Sequence, residues 1–398
     1  MHAREAVLSP PRNITPGDID LLFSKKAMTA QVVPSAPSPV LKLPSRFTVN
    51  KVLMQGNMVI GEAAIRAGCR FYAGYPITPQ NELTEYMSEN MRKAEGGIFI
   101  QSESEIAAIN MIAAASAAGV RVMTSSSSPG ISLKQDGISS MAACELPGLI
   151  VNMMRGGPGL GNIAPSQGDY FQATRGGGHG DYRTIVLAPA SSQELADLTM
   201  DAFDLADKYR NPVMILADGM MGQMMEPTVF KEAKPRVYSE NFMMRGAGTG
   251  KSKIIKGLIL PPLEMEEHNW KLARKYQVIS DRETRHETFN IEGADLIVVA
   301  YGTAARIAKG AIKRLRETGL NVGIFRPITL WPFPFLELRA VAERANNFLV
   351  FEMNTGQMIE DVRLALQGYA DIDFHGRPGG VVPTPIELAN AIARQFRK

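Results

Sequence analysis

The sequence predicts an α/β fold built on parallel sheets, and two observations lead to that class. Short, continuously apolar runs, such as residues 71–73 and 212–217, alternate with longer segments that have helical periodicity. Strands that are apolar on both faces are typical of parallel sheets with helices on each side. The alternation runs from about residue 51 to residue 230 and resumes after residue 294.

We therefore expect two domains, an N-terminal arm and a linker. Residues 51–237 form a doubly wound parallel-sheet domain, and residues 294–398 form a smaller α/β domain. Residues 1–50 hold seven prolines and little periodicity, which predicts an extended arm. Residues 238–293 are rich in charged side chains, so we interpret them as a flexible linker with one helix near residues 265–276.

A glycine-rich stretch in this linker, residues 248–252, invites interpretation as a phosphate loop. A phosphate loop needs a glycine six residues before its lysine. For Lys251 that position is occupied by Arg245, so the pattern does not match.

Composition excludes several classes of protein. The 398 residues include 43 basic and 40 acidic side chains, and the net charge of +3 gives no indication of a nucleic-acid or membrane-surface partner. Two cysteines, Cys69 and Cys144, exclude a disulfide scaffold and are too few to hold an iron–sulfur cluster within this chain. The start has no signal-peptide core and no apolar run is long enough to span a membrane, so we expect a cytoplasmic protein.

Polar segments follow four of the predicted strands. They comprise residues 75–78, 102–105, 125–130 and 155–161. Ligands of open parallel sheets bind beyond the carboxyl ends of the strands. We therefore expect the four segments to share one site.

Two candidate site residues lie in the first two segments. Glu105 heads a helix of small apolar residues, where a carboxylate suits the positive end of the helix dipole. Simple helix capping by Glu103 or Glu105 is the alternative interpretation. Thr78 is a favourable N-cap, and Pro79 fits the first position of the helix that would follow it.

Several short motifs occur in a fixed order between residue 56 and the C-terminus. They are Gly74-Tyr75-Pro76-Ile77-Thr78-Pro79, Glu103-Ser104-Glu105-Ile106-Ala107-Ala108, Glu145-Leu146-Pro147, Arg155-Gly156-Gly157-Pro158-Gly159, Gln167-Gly168-Asp169, His179-Gly180-Asp181, Gly323-Ile324-Phe325-Arg326-Pro327 and Glu352-Met353-Asn354-Thr355-Gly356-Gln357. This order resembles the α subunit of 2-oxoacid:acceptor (ferredoxin) oxidoreductases, thiamine-diphosphate enzymes that oxidise 2-oxoacids to acyl-CoA. Residues 155–161 and 176–179 are most similar to the 2-oxoisovalerate branch. Residues 126–129 read Ser-Ser-Ser-Pro, where the family usually has a Ser-Gly-Pro turn.

The resemblance implies a role for each domain. Residues 51–237 would be the pyrimidine-type thiamine-diphosphate-binding domain, and residues 294–398 would resemble the C-terminal domain of transketolase. A partner β subunit would hold the diphosphate and Mg²⁺, because this chain lacks the family's Gly-Asp-Gly motif with its downstream Asn. We therefore assign no metal ligand to this chain. The iron–sulfur clusters would lie on γ and ferredoxin-like subunits, with a flavin subunit as a further candidate and CoA as the acyl acceptor.

The resemblance also implies which residues meet the cofactor. Glu105 matches the glutamate that hydrogen-bonds N1′ of the aminopyrimidine, and Glu103 is its rival. Tyr75, Pro76 and Ile77 would contact the cofactor as well.

The resemblance further implies a binding site for the substrate carboxylate. Arg155 and Thr78 match the residues of that site, since arginine suits planar carboxylates. A surface salt bridge is the alternative for Arg155. His179 would touch a ligand or shape its own loop, and Arg326 with residues 354–357 would build a subunit interface.

The sequence therefore predicts the α subunit of a thiamine-diphosphate-dependent 2-oxoacid oxidoreductase. It would act in a hetero-oligomer on a branched-chain or aryl 2-oxoacid, with electrons passing to clusters on partner subunits. One alternative is the same chemistry on 2-oxoglutarate, pyruvate or phenylglyoxylate, with NAD as final acceptor. A non-catalytic assembly subunit is the other alternative.

Overall fold

The computed structural model describes residues 51–232, 242–244 and 254–395. The predicted arm at residues 1–50 and the glycine-rich stretch at residues 248–252 lie outside these ranges. In the described residues, the chain forms two largely parallel sheets and one short antiparallel ribbon. The predicted α/β class is confirmed.

The larger sheet has seven strands, and most of them come from the first half of the chain. They are β2 (Phe71–Gly74), β3 (Ile98–Gln101), β4 (Val122–Ser126), β5 (Gly148–Met154), β6 (Ile185–Leu187), β7 (Pro212–Asp218) and β12 (Thr329–Trp331). Their order is β12-β6-β7-β5-β4-β2-β3, and β12 alone pairs antiparallel to its neighbour. The ribbon pairs β1 (Val52–Gln55) with β8 (Met225–Thr228).

Helices cover both faces of this sheet. They are α1 (Gly56–Arg66), α2 (Asn81–Asn90), α3 (Glu105–Ala117), α4 (Ser128–Ala143), α5 (Tyr170–Arg175), α6 (Ser192–Tyr209) and α7 (Gly219–Gln223). Alternate residues of β5 point to opposite cores: Ile150 packs with α3 and α4, whereas Val151 packs with α1, α2 and α6. This two-sided burial explains why the strand is apolar at consecutive positions.

The smaller sheet has five strands in the second half of the chain. They are β9 (His286–Phe289), β10 (Leu296–Val299), β11 (Val322–Pro327), β13 (Asn347–Glu352) and β14 (Asp371–Gly376). The order is β14-β13-β10-β11-β9, with β9 antiparallel to β11. The remaining helices are α8 (Pro262–Glu283), α9 (Gly302–Glu317), α10 (Phe335–Ala342), α11 (Met358–Leu366) and α12 (Pro385–Gln395). No helix in the described ranges is long and apolar enough to cross a membrane.

The stretch predicted as a flexible linker carries more structure than expected. Helix α8 includes the predicted helix and spans 22 residues. It buries Leu272, Tyr276 and Ile279 against the core of the larger sheet. Strand β9 then joins the smaller sheet. The prediction of a linker is wrong for residues 262–289, because one buried stripe on a charged helix is enough to dock it.

The predicted cap of helix α2 is also wrong. The helix begins at Asn81, and no side chain caps it. Thr78 and Pro79 instead form an irregular turn, and the Pro79 carbonyl accepts hydrogen bonds from Asn57 Nδ2 at 2.8 Å and Gln223 Nε2 at 3.2 Å. The Thr78 hydroxyl is therefore not used as a helix cap.

Arg326, predicted at a subunit interface, instead joins the two sheets inside the chain. Its side chain is only 1% exposed. The two Nη atoms donate to both carboxylate oxygens of Glu194 on α6 at 2.9 and 2.7 Å, and Nε donates to Glu287 on β9 at 2.7 Å. A guanidinium buried to this degree has no surface left for a partner chain.

The motif at residues 354–357 also makes contacts within the chain. Asn354 Nδ2 donates to the Gln167 carbonyl at 2.8 Å, and Gln357 Nε2 donates to the Gly168 carbonyl at 2.7 Å. These bonds connect the loop after β13 to the segment that precedes α5. Asn354 and Gln357 thus connect the two halves of the chain, whereas Thr355 between them is exposed, and the subunit interface at residues 354–357 stays a prediction.

We predict that Arg326→Met will destabilise the chain by up to about 3 kcal/mol, because Glu194 loses its cation whereas the partly exposed Glu287 keeps its ion pair with Lys309. The control is Lys93→Met, which removes an exposed ion pair with Glu89 and should cost less than about 0.5 kcal/mol. Denaturant unfolding of both variants measures the difference. Equal losses would show that the Arg326 cluster does not hold the two halves together.

Candidate active site

The structure brings the four polar segments together at the carboxyl edge of the larger sheet. Arg155, directly after β5, donates from Nη1 to the Thr78 carbonyl at 3.0 Å. Its backbone N–H donates to Ser128 Oγ, also at 3.0 Å. At the next strands, Ser102 Oγ donates to the Gly74 carbonyl at 3.1 Å. One set of hydrogen bonds therefore connects the ends of β2, β3, β4 and β5.

Glu105 occupies the first position of α3 and is 6% exposed. The cap of this helix is neither glutamate: Ser104 Oγ accepts a hydrogen bond from the Ala107 N–H at 3.2 Å. Glu103, one residue before the cap, is exposed. The capping interpretation of Glu105 is therefore not supported, and its carboxylate is buried for another reason.

The Glu105 carboxylate packs closely against Gly130 at the start of α4, where there is no room for a side chain. No described residue donates a hydrogen bond to this carboxylate. A Cβ atom placed on Gly130 would lie 2.5 Å from Glu105 Oε1 and 2.0 Å from Ser126 Oγ. Ser126 Oγ is itself buried and has no hydrogen-bond partner among the described residues. A carboxylate and a hydroxyl are thus both available to a ligand at the start of α4.

Lys134, on the second turn of α4, is fully buried beside Glu105. Its Nζ donates to the backbone carbonyl of Glu105 at 3.3 Å. Burial lowers the pKa of the Lys134 ammonium to about 8, and the charge of Glu105 acts in the opposite direction. The site therefore holds one buried acid and one buried base in close proximity.

Arg155 is 6% exposed, which rules out the surface salt bridge considered above. Its Nη1 and Nη2 donate to the carbonyls of Thr78 and Leu160, each at 3.0 Å. No carboxylate of the described residues lies within ion-pair distance. Nε is buried without a partner. Since a guanidinium has five N–H donors, Arg155 keeps several donors for an anion.

A second, partly buried carboxylate, that of Asp169, helps to fix the position of Arg155. Asp169 accepts hydrogen bonds from Ser128 Oγ at 2.6 Å and Asn152 Nδ2 at 2.9 Å. Burial raises the pKa of the Asp169 carboxyl. Ser128 lies in the Ser-Ser-Ser-Pro turn, where its hydroxyl reaches both Asp169 and the Arg155 N–H. The departure from the Ser-Gly-Pro pattern thus supplies an extra hydrogen-bonding group.

The surface around this site is unusually apolar. Tyr75, Pro76 and Thr78 are exposed after β2, and Ile77 is half-buried. Further exposed apolar side chains at this edge are Ile106, Leu133 and Leu160. His179 is exposed in its glycine-rich loop, and no described contact ties it to Glu105 or Arg155.

Sequence reasoning missed two side chains of the site, Ser126 as an unpartnered hydroxyl and Lys134 as a buried cation. A signal for Lys134 was present. It shares one helical face with Ile131 and Ile138, both of which are buried. A lysine in the middle of an apolar stripe indicates a buried charge.

Comparison with protein families defines the class of this chain. Residues 62–282 match the thiamine-diphosphate-binding domain of pyruvate flavodoxin/ferredoxin oxidoreductases. Residues 294–388 match core domain II of pyruvate:ferredoxin oxidoreductase. The chain is thus of the thiamine-diphosphate-binding oxidoreductase class. It belongs to the 2-oxoacid:ferredoxin oxidoreductase family, as a subunit.

Relatives of known name agree with this assignment. The ketoisovalerate oxidoreductase subunit VorB of Methanothermobacter marburgensis is 48% identical over 347 residues, covering 87% of this chain and 97% of the relative. The 2-oxoglutarate synthase subunit KorA of Methanothermobacter thermautotrophicus is 37% identical over 375 residues, covering 86% and 98%. The resemblance to the 2-oxoisovalerate branch is confirmed.

A solved structure supports the fold. The 2-oxoglutarate:ferredoxin oxidoreductase from Magnetococcus marinus, solved with 2-oxoglutarate, coenzyme A and succinyl-CoA bound, matches with a TM-score of 0.78 and 28% identity. The match covers 87% of this chain and 65% of that chain. This chain therefore spans about two thirds of the length of that structure.

We predict that Gly130→Ala will lower 2-oxoacid turnover by about 10²-fold, because the added methyl group displaces Glu105 or Ser126. The control is Gly168→Ala, whose Cβ would lie no nearer than 3.7 Å to another atom, at Ser166 Oγ. Turnover of the assembled enzyme and the melting temperature are measured for both variants. Wild-type turnover by Gly130→Ala would show that the close contact of Glu105 and Ser126 with Gly130 is not part of the site.

Proposed function

We propose that this chain supplies the pyrimidine side of a thiamine-diphosphate site and the substrate-carboxylate site of a branched-chain 2-oxoacid oxidoreductase. The observation that carries the proposal is the Glu105 carboxylate. It is buried at the head of α3, receives no hydrogen bond from the described residues, and approaches the backbone of α4 closely at Gly130. When bound, thiamine diphosphate supplies the nucleophilic carbon and the electron sink for decarboxylation.

Glu105 acts on the proton of the aminopyrimidine ring in this proposal. A buried carboxyl group that shares a proton with N1′ would favour the ring form whose exocyclic nitrogen is an imine, and that nitrogen can accept a proton. For this role, the Glu105 carboxylate must be free to hydrogen-bond N1′ and must not already be engaged by another donor. The free carboxylate in the structure meets this requirement, and the residues present therefore fit the cofactor.

Arg155 and Thr78 bind the substrate carboxylate. Arg155 retains unpaired N–H donors next to the Thr78 carbonyl, and the exposed Thr78 hydroxyl is not needed to cap a helix. An arginine whose guanidinium is held by two backbone carbonyls is already oriented before the substrate arrives. Orientation of this kind reduces the entropy lost when the substrate carboxylate binds.

Partner subunits complete the enzyme. We propose that Tyr75, Pro76 and Ile77 contact the cofactor, which is shared with a β subunit that holds the diphosphate and Mg²⁺. No group of three or more metal-binding side chains occurs in the described ranges. γ and ferredoxin-like subunits carry the iron–sulfur clusters, with a flavin subunit as a further candidate. The exposed apolar side chains around the site support activity only in a hetero-oligomer. We further propose that this assembly is cytoplasmic.

The substrate class rests on the relatives. Two proteins named ketoisovalerate oxidoreductase subunits are each 48% identical to this chain, whereas the 2-oxoglutarate synthase subunits are 36–40% identical. We therefore propose a branched-chain 2-oxoacid, CoA as the acyl acceptor, and ferredoxin rather than NAD as the electron acceptor.

We predict that Glu105→Gln will lower turnover by about 10²–10⁴-fold with assembly intact, since the amide keeps the shape of glutamate but cannot share the proton. Glu103→Gln is the matched control and should retain wild-type turnover, because Glu103 is exposed outside the helix. Steady-state kinetics and gel filtration test both variants. If Glu103 were essential and Glu105 dispensable, the glutamate that contacts the aminopyrimidine would be Glu103 and the assignment of Glu105 would be wrong.

We predict that Arg155→Lys will lower kcat/KM for 2-oxoacids by at least about 10²-fold while cofactor affinity stays unchanged. An ammonium cannot bridge the two carbonyls and still present a planar fork to a carboxylate. Arg183→Lys, an exposed arginine before β6, is the control with wild-type kinetics expected. Wild-type kcat/KM in Arg155→Lys would remove this residue from the substrate site.

A further inference from the structure

Lys134 is a buried cation to which the proposed roles of Glu105, Arg155 and Thr78 assign no function. Helices α3 and α4 approach closely at this level, because a Cβ atom on Gly137 would lie 2.5 Å from the side chain of Ile109. The ammonium is enclosed between the two helices. Its hydrogen bond to the Glu105 carbonyl is the one bond it makes to the described residues.

This arrangement is costly for folding. A buried ammonium loses its hydration and regains little of it from a single neutral acceptor. A methionine at the same position would fill the space without that cost. The charge of Lys134 therefore contributes something other than packing.

The other charged groups near Lys134 show which one its ammonium can influence. Glu105, on the facing helix, is the charge that influences its pKa in the described part of the chain. Asp136, on its own helix, is exposed to solvent. Asp169 is engaged by Ser128 and Asn152. Asp218, at the end of β7, caps α7 and accepts the N–H groups of that helix.

We propose that Lys134 is a positioning residue for Glu105. Its ammonium anchors the first turn of α3 through the Glu105 carbonyl, and its charge balances the Glu105 carboxylate before the cofactor arrives. The inference rests on the proposed role of Glu105. Lys134 touches neither cofactor nor substrate, and acts only through Glu105.

The test compares Lys134→Met with wild type in the purified assembly of this chain with its partner subunits. Calorimetric titration with thiamine diphosphate and Mg²⁺ gives the affinity. We expect Lys134→Met to bind the cofactor about tenfold more weakly at pH 7. The difference should shrink as the pH rises through about 8, because wild-type Lys134 then loses its own proton in the folded state.

A double-mutant cycle shows whether the effect passes through Glu105. In a Glu105→Gln background, adding Lys134→Met should change the affinity by less than about twofold. An equal loss in both backgrounds, or a wild-type affinity in Lys134→Met, would overturn the inference. If Glu105→Gln itself retains wild-type turnover, the proposed function fails instead, so the two failures are distinguishable.

The matched control is Lys275→Met. Lys275, on α8, is a second lysine with a largely enclosed side chain; burial lowers its pKa to about 8 as well, and it pairs with Glu145 at 3.5 Å. Its loss should lower the melting temperature and leave cofactor affinity unchanged. Lys134→Gln, which keeps a donor for the Glu105 carbonyl without the charge, is the second variant at the site. If neither Lys134 variant assembles, Lys134 is a structural residue and the inference is overturned.

Discussion

The burial of charged groups at the carboxyl edge of the larger sheet is the constraint on which the rest of the structure depends. Glu105, Arg155, Lys134 and Asp169 are all removed from most of the solvent there. Charges in such a setting must be satisfied by fixed neighbours, because water cannot reorganise around them. The hydrogen bonds that join the ends of β2 to β5 provide those neighbours for Arg155 and Asp169.

The loop that follows β13 of the smaller sheet stabilises this edge through hydrogen bonds. Gln167 exchanges hydrogen bonds with Met353 at 3.0 Å in both directions, its N–H donating to the Met353 carbonyl and its Oε1 accepting from the Met353 N–H. Two residues later, Asp169 orients Ser128, which in turn receives the Arg155 N–H. A continuous series of polar contacts thus runs from the loop after β13 to Arg155. The second half of the chain contributes to the site without entering it.

Much of the fold could be predicted because it depends on local patterns. Continuous apolar runs predicted the central strands. Segments with helical periodicity predicted the helices that pack on the two faces of the sheet. Edge strands such as β14, with the sequence Asp-Ile-Asp-Phe-His-Gly, were missed because they are exposed and carry no such pattern. Strand β12 was missed because its place beside β6 depends on contacts between distant parts of the chain.

The site could be predicted only in part, for a related physical reason. Motifs located Glu105 and Arg155, and parallel-sheet geometry placed their segments at one edge. The prediction that Thr78 caps α2 was wrong, because the side chains of Asn57 and Gln223 hydrogen-bond the Pro79 carbonyl and the helix begins after this turn. Arg326 was misplaced because Glu194 and Glu287 are distant in sequence, and only tertiary structure shows that they enclose it.

The most direct measurement is an experimental structure of the assembled enzyme with thiamine diphosphate bound. The account predicts that the Glu105 carboxylate lies within about 3 Å of N1′ of the aminopyrimidine, above Gly130. The diphosphate and Mg²⁺ would then contact a partner subunit. A cofactor whose pyrimidine ring meets Glu103, or whose diphosphate and Mg²⁺ are held by this chain, would contradict the account.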